Sequence, residues 1–491
     1  MAGIVATSER QAAQIGAFVL RDGGNAVDAA VATAAALTVT EPTSNGLGGD
    51  CFALIWDDGV HALAANGAAP LGLDVASIQS RYRQMPLTGW LPVTVPGQVS
   101  GWAALLERLG TRPLSELLAP AIRLATDGFE VGPITAAAWA RSEASFGCYD
   151  GWRRTFTPIP AAGERFANPD LGISLQTIAR GGAEAFYGEL ASTIAQYARQ
   201  TGGLLREEDF KGQQARWVEP LMIGVGDLSV YGMTAPTQGV VALEALGIVD
   251  GLPQGEHYEI EAIKLAFADA YASVCDPEHL RMDPSQLLSE RYLSRRRSLI
   301  GGRAGPSPAP PGIDGGTVLL CVSDGRQFVS FIQSNFHGFG SGIVVPGTGI
   351  ALQNRGAGFS LEPGHANLAA PGKRPFHTIL PGLMSDSAGV FGAFGCMGGQ
   401  MQPQGHLQLI RGLAMGLSPQ AAIDRPRWRW MDSGEVALED GFDAGLRDDL
   451  RGRGHSVLWD QPATLFGGAQ MILRDGRAGS DRRKDGAVVR I

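Results

Sequence analysis

The chain has 491 residues, 44% of them hydrophobic, with 68 glycines and a net charge of −9. That composition can bury a large core and excludes fibrous and disordered classes; a length prior of about 150 residues per domain suggests some three domains and leaves one large α/β unit open. Scattered basic residues give a nucleic acid no electrostatic footprint, and no run of about 18 apolar residues offers a membrane span.

The five cysteines (Cys51, Cys148, Cys275, Cys321, Cys396) are odd in number and lack CxxC spacing, so reduced thiols packed in the core are expected, with no zinc site. Met1 leads straight into Ala2-Gly3-Ile4-Val5-Ala6 with no basic or long apolar leader; a cytoplasmic location is the expectation.

Taken in chain order, residues 9–21 place Ala12, Ala13, Gly16, Ala17 and Leu20 at helical spacing and stop at Asp22-Gly23-Gly24, a glycine C-terminal signal. A second helix is predicted from Asn25 to about Thr38, ending before Glu41-Pro42; its alanine-rich sides imply burial between layers. Residues 52–56 read as a strand, with Asp57-Asp58-Gly59 turning into residues 61–63. The middle, residues 96–273, reads as mostly helical, with helices near 99–109, 114–126, 190–199 and 259–273. Residues 301–316 are too rich in Pro and Gly for a core and read as an exposed linker.

Two apolar strand-like runs follow, 317–323 and 327–334, joined by the hairpin signal Asp324-Gly325-Arg326. Pairing about that turn brings Ser334 to within about two residues of Thr317. Helical segments alternating with strands suggest helices packed on sheets. Gly338-Phe339-Gly340-Ser341-Gly342 fails the GxGxxG spacing and no GK[ST] occurs anywhere, which argues against phosphate binding.

Asp314-Gly315-Gly316-Thr317 carries the chemistry. A threonine behind two glycines at a strand's mouth can attack its own preceding carbonyl, cut the chain, and emerge as an N-terminus with hydroxyl and amine on one residue. An aliphatic hydroxyl needs a base to take its proton, and an α-amine with a reference pKa of about 7.7–8.0 is suited to that. The oxyanion then needs preorganised N–H donors; Gly398-Gly399, in Phe394-Gly395-Cys396-Met397-Gly398-Gly399-Gln400, is the candidate turn. Read one by one, these are an ordinary loop, strand hydroxyl and turn.

Together the segments resemble the γ-glutamyltransferase family of Ntn hydrolases over nearly the whole chain. The resemblance rests on Gly24-Asn25-Ala26-Val27-Asp28-Ala29-Ala30-Val31-Ala32, Glu41-Pro42 to Gly46-Leu47-Gly48-Gly49, Val95-Pro96-Gly97 to Gly101-Trp102 and Pro120 to Asp127-Gly128-Phe129. After Thr317 it continues with Phe339-Gly340-Ser341-Gly342, Pro346-Gly347-Thr348-Gly349-Ile350, Lys373-Arg374-Pro375 and the ending Asp481-Arg482-Arg483-Lys484-Asp485-Gly486. It implies an α/β fold, a four-layer αββα sandwich, cleaved between Gly316 and Thr317 into a heavy chain (1–316) and a light chain (317–491) that stay associated as one structural unit. It also implies Thr317 as nucleophile, Ser334 as the assisting hydroxyl, Gly398 and Gly399 as oxyanion hole, and no cofactor or metal. The partner is a small-molecule amide, with no nucleic acid or membrane, and a homodimer of heavy–light pairs remains open.

The substrate pocket departs from the family. Where γ-glutamyl-specific members carry an arginine for the donor carboxylate, the stretch is Asn66-Gly67-Ala68-Ala69-Pro70; the aspartate for the donor amine becomes Gly358, the nearby asparagine Phe336, and the serine pair His377-Thr378. Losing those groups removes charge-assisted hydrogen bonds worth about 1.5–3 kcal/mol each. The expected activity is therefore hydrolysis of a different amide, as in relatives acting as cephalosporin acylases or oxamate amidohydrolases. The alternatives are a γ-glutamyltransferase or glutathione hydrolase using other recognition groups, and an uncut binding protein. Arg355 and Arg374 are candidates for an acidic substrate, Arg374 more readily as a tie for the 364–375 loop; His377, beside a strand, and Gln400 and Gln402, on the glycine turn, are further candidates.

Overall fold

Period-2 alternation sorts the strands into two faces, and the computed structural model, which describes residues 3–306 and 315–491, shows where each face goes. In strand β7 (Gly316–Ser323), Val318, Leu320 and Val322 join the cluster that holds the alanine-rich helices, whereas Leu319 and Cys321 join a second cluster between two sheets. The partner strand β8 (Phe328–Phe336) splits the same way: Val329 and Phe331 pack towards the helices, Phe328 and Ile332 towards the other sheet. A strand apolar on both faces is a strand buried between layers.

The first sheet has seven antiparallel strands in the order β13, β1, β7, β8, β2, β3, β4. They are β1 (Ile4–Thr7), β2 (Asp50–Trp56), β3 (Val60–Ala65), β4 (Arg216–Val218), β7, β8 and β13 (Ala487–Arg490). The second has six, in the order β12, β11, β10, β9, β6, β5: β5 (Leu221–Val225), β6 (Leu228–Gly232), β9 (Pro381–Asp386), β10 (Gly389–Met397), β11 (Gly468–Leu473) and β12 (Ala478–Ser480). Their facing sides meet in the cluster of Phe52, Leu319, Ile332, Leu383, Ala393 and Ile472. Helices α1 (Arg10–Arg21), α2 (Ala26–Thr40), α3 (Gln98–Leu109), α4 (Leu114–Asp127) and α5 (Pro133–Phe146) cover the outer face of the first sheet. Helices α6 (Gly239–Val249), α7 (Glu256–Ser273) and α8 (Met401–Ala414) cover the second. The result is a four-layer αββα sandwich.

Local signals account for the helices. An Asn25/Asp28 capping box starts α2, satisfying two end N–H groups, and all fifteen of its residues are buried, as its alanines implied. Among the described residues, no helix is long and apolar enough to cross a membrane.

The region read as mostly helical is so, with three short strands over residues 216–232; the pattern in β5 leaves Met222 half exposed, which blurs its alternation. Two expectations need correction. Cys148 is exposed, while the other four cysteines are buried and all five are unpaired. The linker is anchored at both described ends, its residues 307–314 lying outside the described ones. Gly316 already belongs to β7. At the other end His257 Nε2 meets Gly301 O at 2.9 Å, Lys264 Nζ donates to Gly305 O at 2.8 Å, and Gly305 N donates to Glu261 Oε2 at 2.8 Å.

Candidate functional site

Thr317 shares the parity of Leu319 and Cys321, so its side chain faces the second sheet, at the end where β10 runs out into Gly398-Gly399. It is 2% exposed. Ser334 has the same parity on β8 as Ile332. Gln333 pairs with Val318 and Phe336 with Gly316, and the register shift between them marks a bulge beside Thr317, a common device near reactive groups. Ser334 Oγ donates to Gly316 O at 2.7 Å and accepts from Phe336 N at 2.6 Å. The hydroxyl therefore polarises the Gly316 carbonyl. Phe336 reaches back to it with a φ of +81°, a conformation that non-glycine residues hold only under structural constraint.

Arg355 lies directly behind this pair. Its Nη2 donates to Ser334 Oγ at 3.3 Å and its Nη1 to Thr378 Oγ1 at 2.9 Å, and its guanidinium carbon stands 4.1 Å from the Phe336 ring centroid. The side chain is fully buried, and burial pulls its pKa down to about 9 despite the opposing field of Asp50. Asp50, the first residue of β2 and the register partner of Ser334, accepts from Gly97 N (3.0 Å), Gly67 N (3.2 Å) and Gln353 Nε2 (2.9 Å) on Oδ1. Its Oδ2 lies 3.1 Å from His377 Nε2. Ile379 N donates to His377 Nδ1 at 3.2 Å, which leaves the ring proton on Nε2, pointing at Asp50. Burial holds His377 well below its usual pKa, with Arg355 adding to that, and pushes Asp50 up to about 7 against the pull of Arg355 and its donors.

The turn after β10 faces Thr317 from the second sheet. Gly398 and Gly399 have φ of +114° and +59°, conformations that a side chain would strain. Gly398 O accepts from Met401 N at 3.0 Å; across that trans peptide the Gly399 N–H points the opposite way, at the N-terminal end of α8, where the helix dipole favours negative charge. Gln238 Nε2 holds Gly399 O at 2.9 Å. Gln402 Oε1 accepts from Leu380 N at 2.9 Å, which leaves Nε2 directed at Thr317 Oγ, at 3.5 Å. A Cβ built on Gly315 would come within 3.0 Å of Phe336 O and 3.3 Å of Gly399 Cα. The chain ahead of Thr317 threads a space that only glycine fits comfortably.

A cleft of about 370 Å³ opens at this point, with Gly316, Thr317, Gly398, Arg141, Arg429 and Lys484 among its walls. The residues assigned to substrate from sequence stand elsewhere. Arg355, Phe336, Gly358, His377, Thr378 and Gln400 do not line it. Arg355, expected to meet an acidic substrate, is instead spent on Ser334 and Thr378 and buried against the Phe336 ring. His377 is a buried donor to Asp50, and Gln400 Nε2 binds Tyr271 Oη at 2.9 Å. Arg374 binds Asp276 through its backbone N and Asn66 O through Nε, while Lys373 Nζ ties the loop at Ala366 O and Leu368 O. Sequence reasoning missed Asp50 and Gln238. The only signal at Asp50 was a carboxylate opening an apolar strand directly after Gly48-Gly49.

Among the described residues one group, His257, Glu261 and His455, has metal-ligand spacing. Lys264 Nζ sits 2.7 Å from Glu261 Oε1, and the two rings bond each other at 2.9 Å. An ammonium at that distance repels a cation, so the group reads as the clasp on Gly301 and Gly305.

The gamma-glutamyltranspeptidase family model matches residues 12–491. The chain belongs to that family. Two similar family relatives are an oxamate amidohydrolase proenzyme of Klebsiella pneumoniae, 37% identical over 93% of this chain and 91% of the relative, and a glutathione hydrolase-like proenzyme of Bacillus subtilis, 35% identical over 98% and 97%. A solved cephalosporin acylase from Bacillus halodurans superposes with a TM-score of 0.95 at 43% identity, covering 99% of this chain and 95% of that one. The gamma-glutamyltranspeptidase of Helicobacter pylori is more distant, with a TM-score of 0.57 at 28% identity over 60% of this chain and 90% of that one. The protein is thus an enzyme of the N-terminal nucleophile hydrolase and acyltransferase class, akin to proenzymes that act on small molecules.

Proposed function

We propose that the protein is a self-cleaving, cofactor-free amidohydrolase in which Thr317, freed by scission after Gly316, is the nucleophile. One observation carries the reading: the Ser334 hydroxyl sits on the carbonyl of Gly316, with Thr317 in the cleft wall beside Gly398. In the precursor, Thr317 Oγ adds to the Gly316 carbon, its proton passes to the departing Thr317 nitrogen as the C–N bond breaks and frees the amine, and water hydrolyses the resulting ester to a Gly316 carboxylate and the restored Thr317 hydroxyl. In the mature enzyme that amine takes the Oγ proton as Oγ attacks the substrate carbonyl. The N–H groups of Gly398 and Gly399 receive the oxyanion, the amine protonates the leaving group, and water releases the acyl chain.

The acyl group we assign is one without a free α-amino acid end. The support is chemical: Asn66, Phe336, Gly358 and His377 occupy the positions where a γ-glutamyl donor needs charge and amide groups, and two similar proteins are named for oxamate and cephalosporin substrates. Incubating the mature enzyme with glutaryl, γ-glutamyl, oxamyl and aminoacyl amides tests this. Faster turnover of a glutaryl or oxamyl amide, with the acyl mass trapped on the peptide beginning at Thr317, is expected. Preferred release of glutamate from the γ-glutamyl compound contradicts the substrate assignment, and an acyl mass on another residue contradicts the nucleophile.

A further inference from the structure

A serine hydroxyl has one proton to give and two lone pairs to fill. At Ser334 the Phe336 N–H (2.6 Å) and Arg355 Nη2–H (3.3 Å) both donate to Oγ. With both lone pairs taken, the proton has one direction left, the Gly316 carbonyl at 2.7 Å. We infer that Arg355 is the positioning residue of self-cleavage, acting through Ser334 to hold its proton on the scissile carbonyl as negative charge builds there. The inference rests on the reading of Thr317 as the self-cleaving nucleophile.

The surroundings of Arg355 are arranged for this and for little else. The guanidinium is fully buried and lines no part of the cleft. Thr378 Oγ1 takes Nη1 at 2.9 Å and the Phe336 ring lies 4.1 Å from its carbon, so the plane is fixed with Nη2 towards Ser334. Among the described residues no carboxylate lies within ion-pair distance of it, and its Nε has no hydrogen-bond partner. Asp50 acts on it only through space. A cation in low dielectric without an adjoining counter-ion is costly, and a carbonyl oxygen turning into an oxyanion two bonds along the chain of hydrogen bonds offsets that cost only at the moment of reaction. Ser334 relays the field: as its O–H polarises towards Gly316 O, its oxygen becomes a better acceptor for Arg355.

The test is the rate at which freshly translated full-length chain divides into two fragments, followed by gel and intact mass. Arg355→Gln removes the charge and Arg355→Lys keeps it but cannot fork to both hydroxyls. Each should slow division by about 10- to 100-fold, the rate equivalent of one charge-assisted hydrogen bond, with Arg355→Lys the milder. The decisive variant is Arg355→Gln combined with Ser334→Ala. If Arg355 acts through Ser334, the double variant divides no more slowly than Ser334→Ala alone; a merely structural role makes the two effects multiply. Wild-type division by Arg355→Lys or Arg355→Gln, or multiplying effects in the double variant, overturns the inference and leaves the Thr317 reading standing. If Thr317→Ala itself still divides at Gly316, that underlying reading has failed.

Discussion

At the scale of single residues the least expected group is Asp50. Four N–H donors from Gly67, Gly97, Gln353 and His377 converge on it from four separate segments, and no spacing within one segment reveals such a meeting. Thr317, Ser334 and Gly398 were legible because each sits in a local pattern: a glycine pair, a hairpin arm, a strand-ending turn. Burial raises Asp50 to about 7, while a carboxylate in the unfolded chain titrates near 4. Between those values the folded protein holds a proton that the unfolded chain has released, so stability falls as pH rises through that window and levels off above about 7. Denaturant titrations of uncut Thr317→Ala protein, with and without Asp50→Asn, should show a smaller fall between pH 4 and 7 in the asparagine variant. Equal slopes would remove Asp50 from the account.

At the scale of elements, the hairpin of β7 and β8 was readable from the Asp324-Gly325-Arg326 turn, but the bulge at 334–336 was not. It depends on Phe336 adopting positive φ under Arg355, a tertiary demand with no local signature. The C-terminal segment, recognisable only by resemblance, gains a physical explanation. Asp481 lies between Arg427 Nη2 (2.6 Å) and Arg483 Nη1 (2.9 Å), and Arg483 Nη2 reaches Glu439 at 2.6 Å. Asp485 accepts from Ile134 N and Thr135 N at the start of α5. These bonds place Arg483 and Lys484 in the wall of the cleft. Burial would raise Asp481, but Arg427 and then Arg483 hold it below the usual range. Its contribution is therefore present above the unfolded value near 4 and lost as pH falls through the lower folded value. Asp481→Asn strands the buried Arg427, leaves Arg483 with Glu439 alone, and should cost about 3–5 kcal/mol in thermal or denaturant unfolding at neutral pH; a loss under 1 kcal/mol would mean that the network is not coupled.

At the scale of the whole molecule, the layers follow from apolar strands buried on both faces and from α2, whose alanines leave no polar side. Strand order across the sheets was beyond reach of the sequence, because it joins segments more than 300 residues apart, as Thr7 with Leu320. That order determines what the proposed cleavage would do. β7, β8 and β13 belong to the segment after the proposed cut and interleave in one sheet with β1, β2, β3 and β4 from the segment before it, while β9 to β12 extend β5 and β6 in the other. Separating the segments would expose both sheet interiors to water, a large apolar cost. Mature protein should elute from size exclusion as one species holding both fragments and part only in denaturant; two separate peaks in native buffer would contradict the interlaced sheets.

Everything said of the chemistry depends on residue 317 acquiring a free amine. Intact mass and N-terminal sequencing of purified wild-type protein and of Thr317→Ala address that directly. The account predicts two wild-type fragments dividing between Gly316 and Thr317, the second beginning with threonine, and a single uncut, inactive variant. Active wild-type protein that stays one chain, or a Thr317→Ala chain that still divides there, would contradict it.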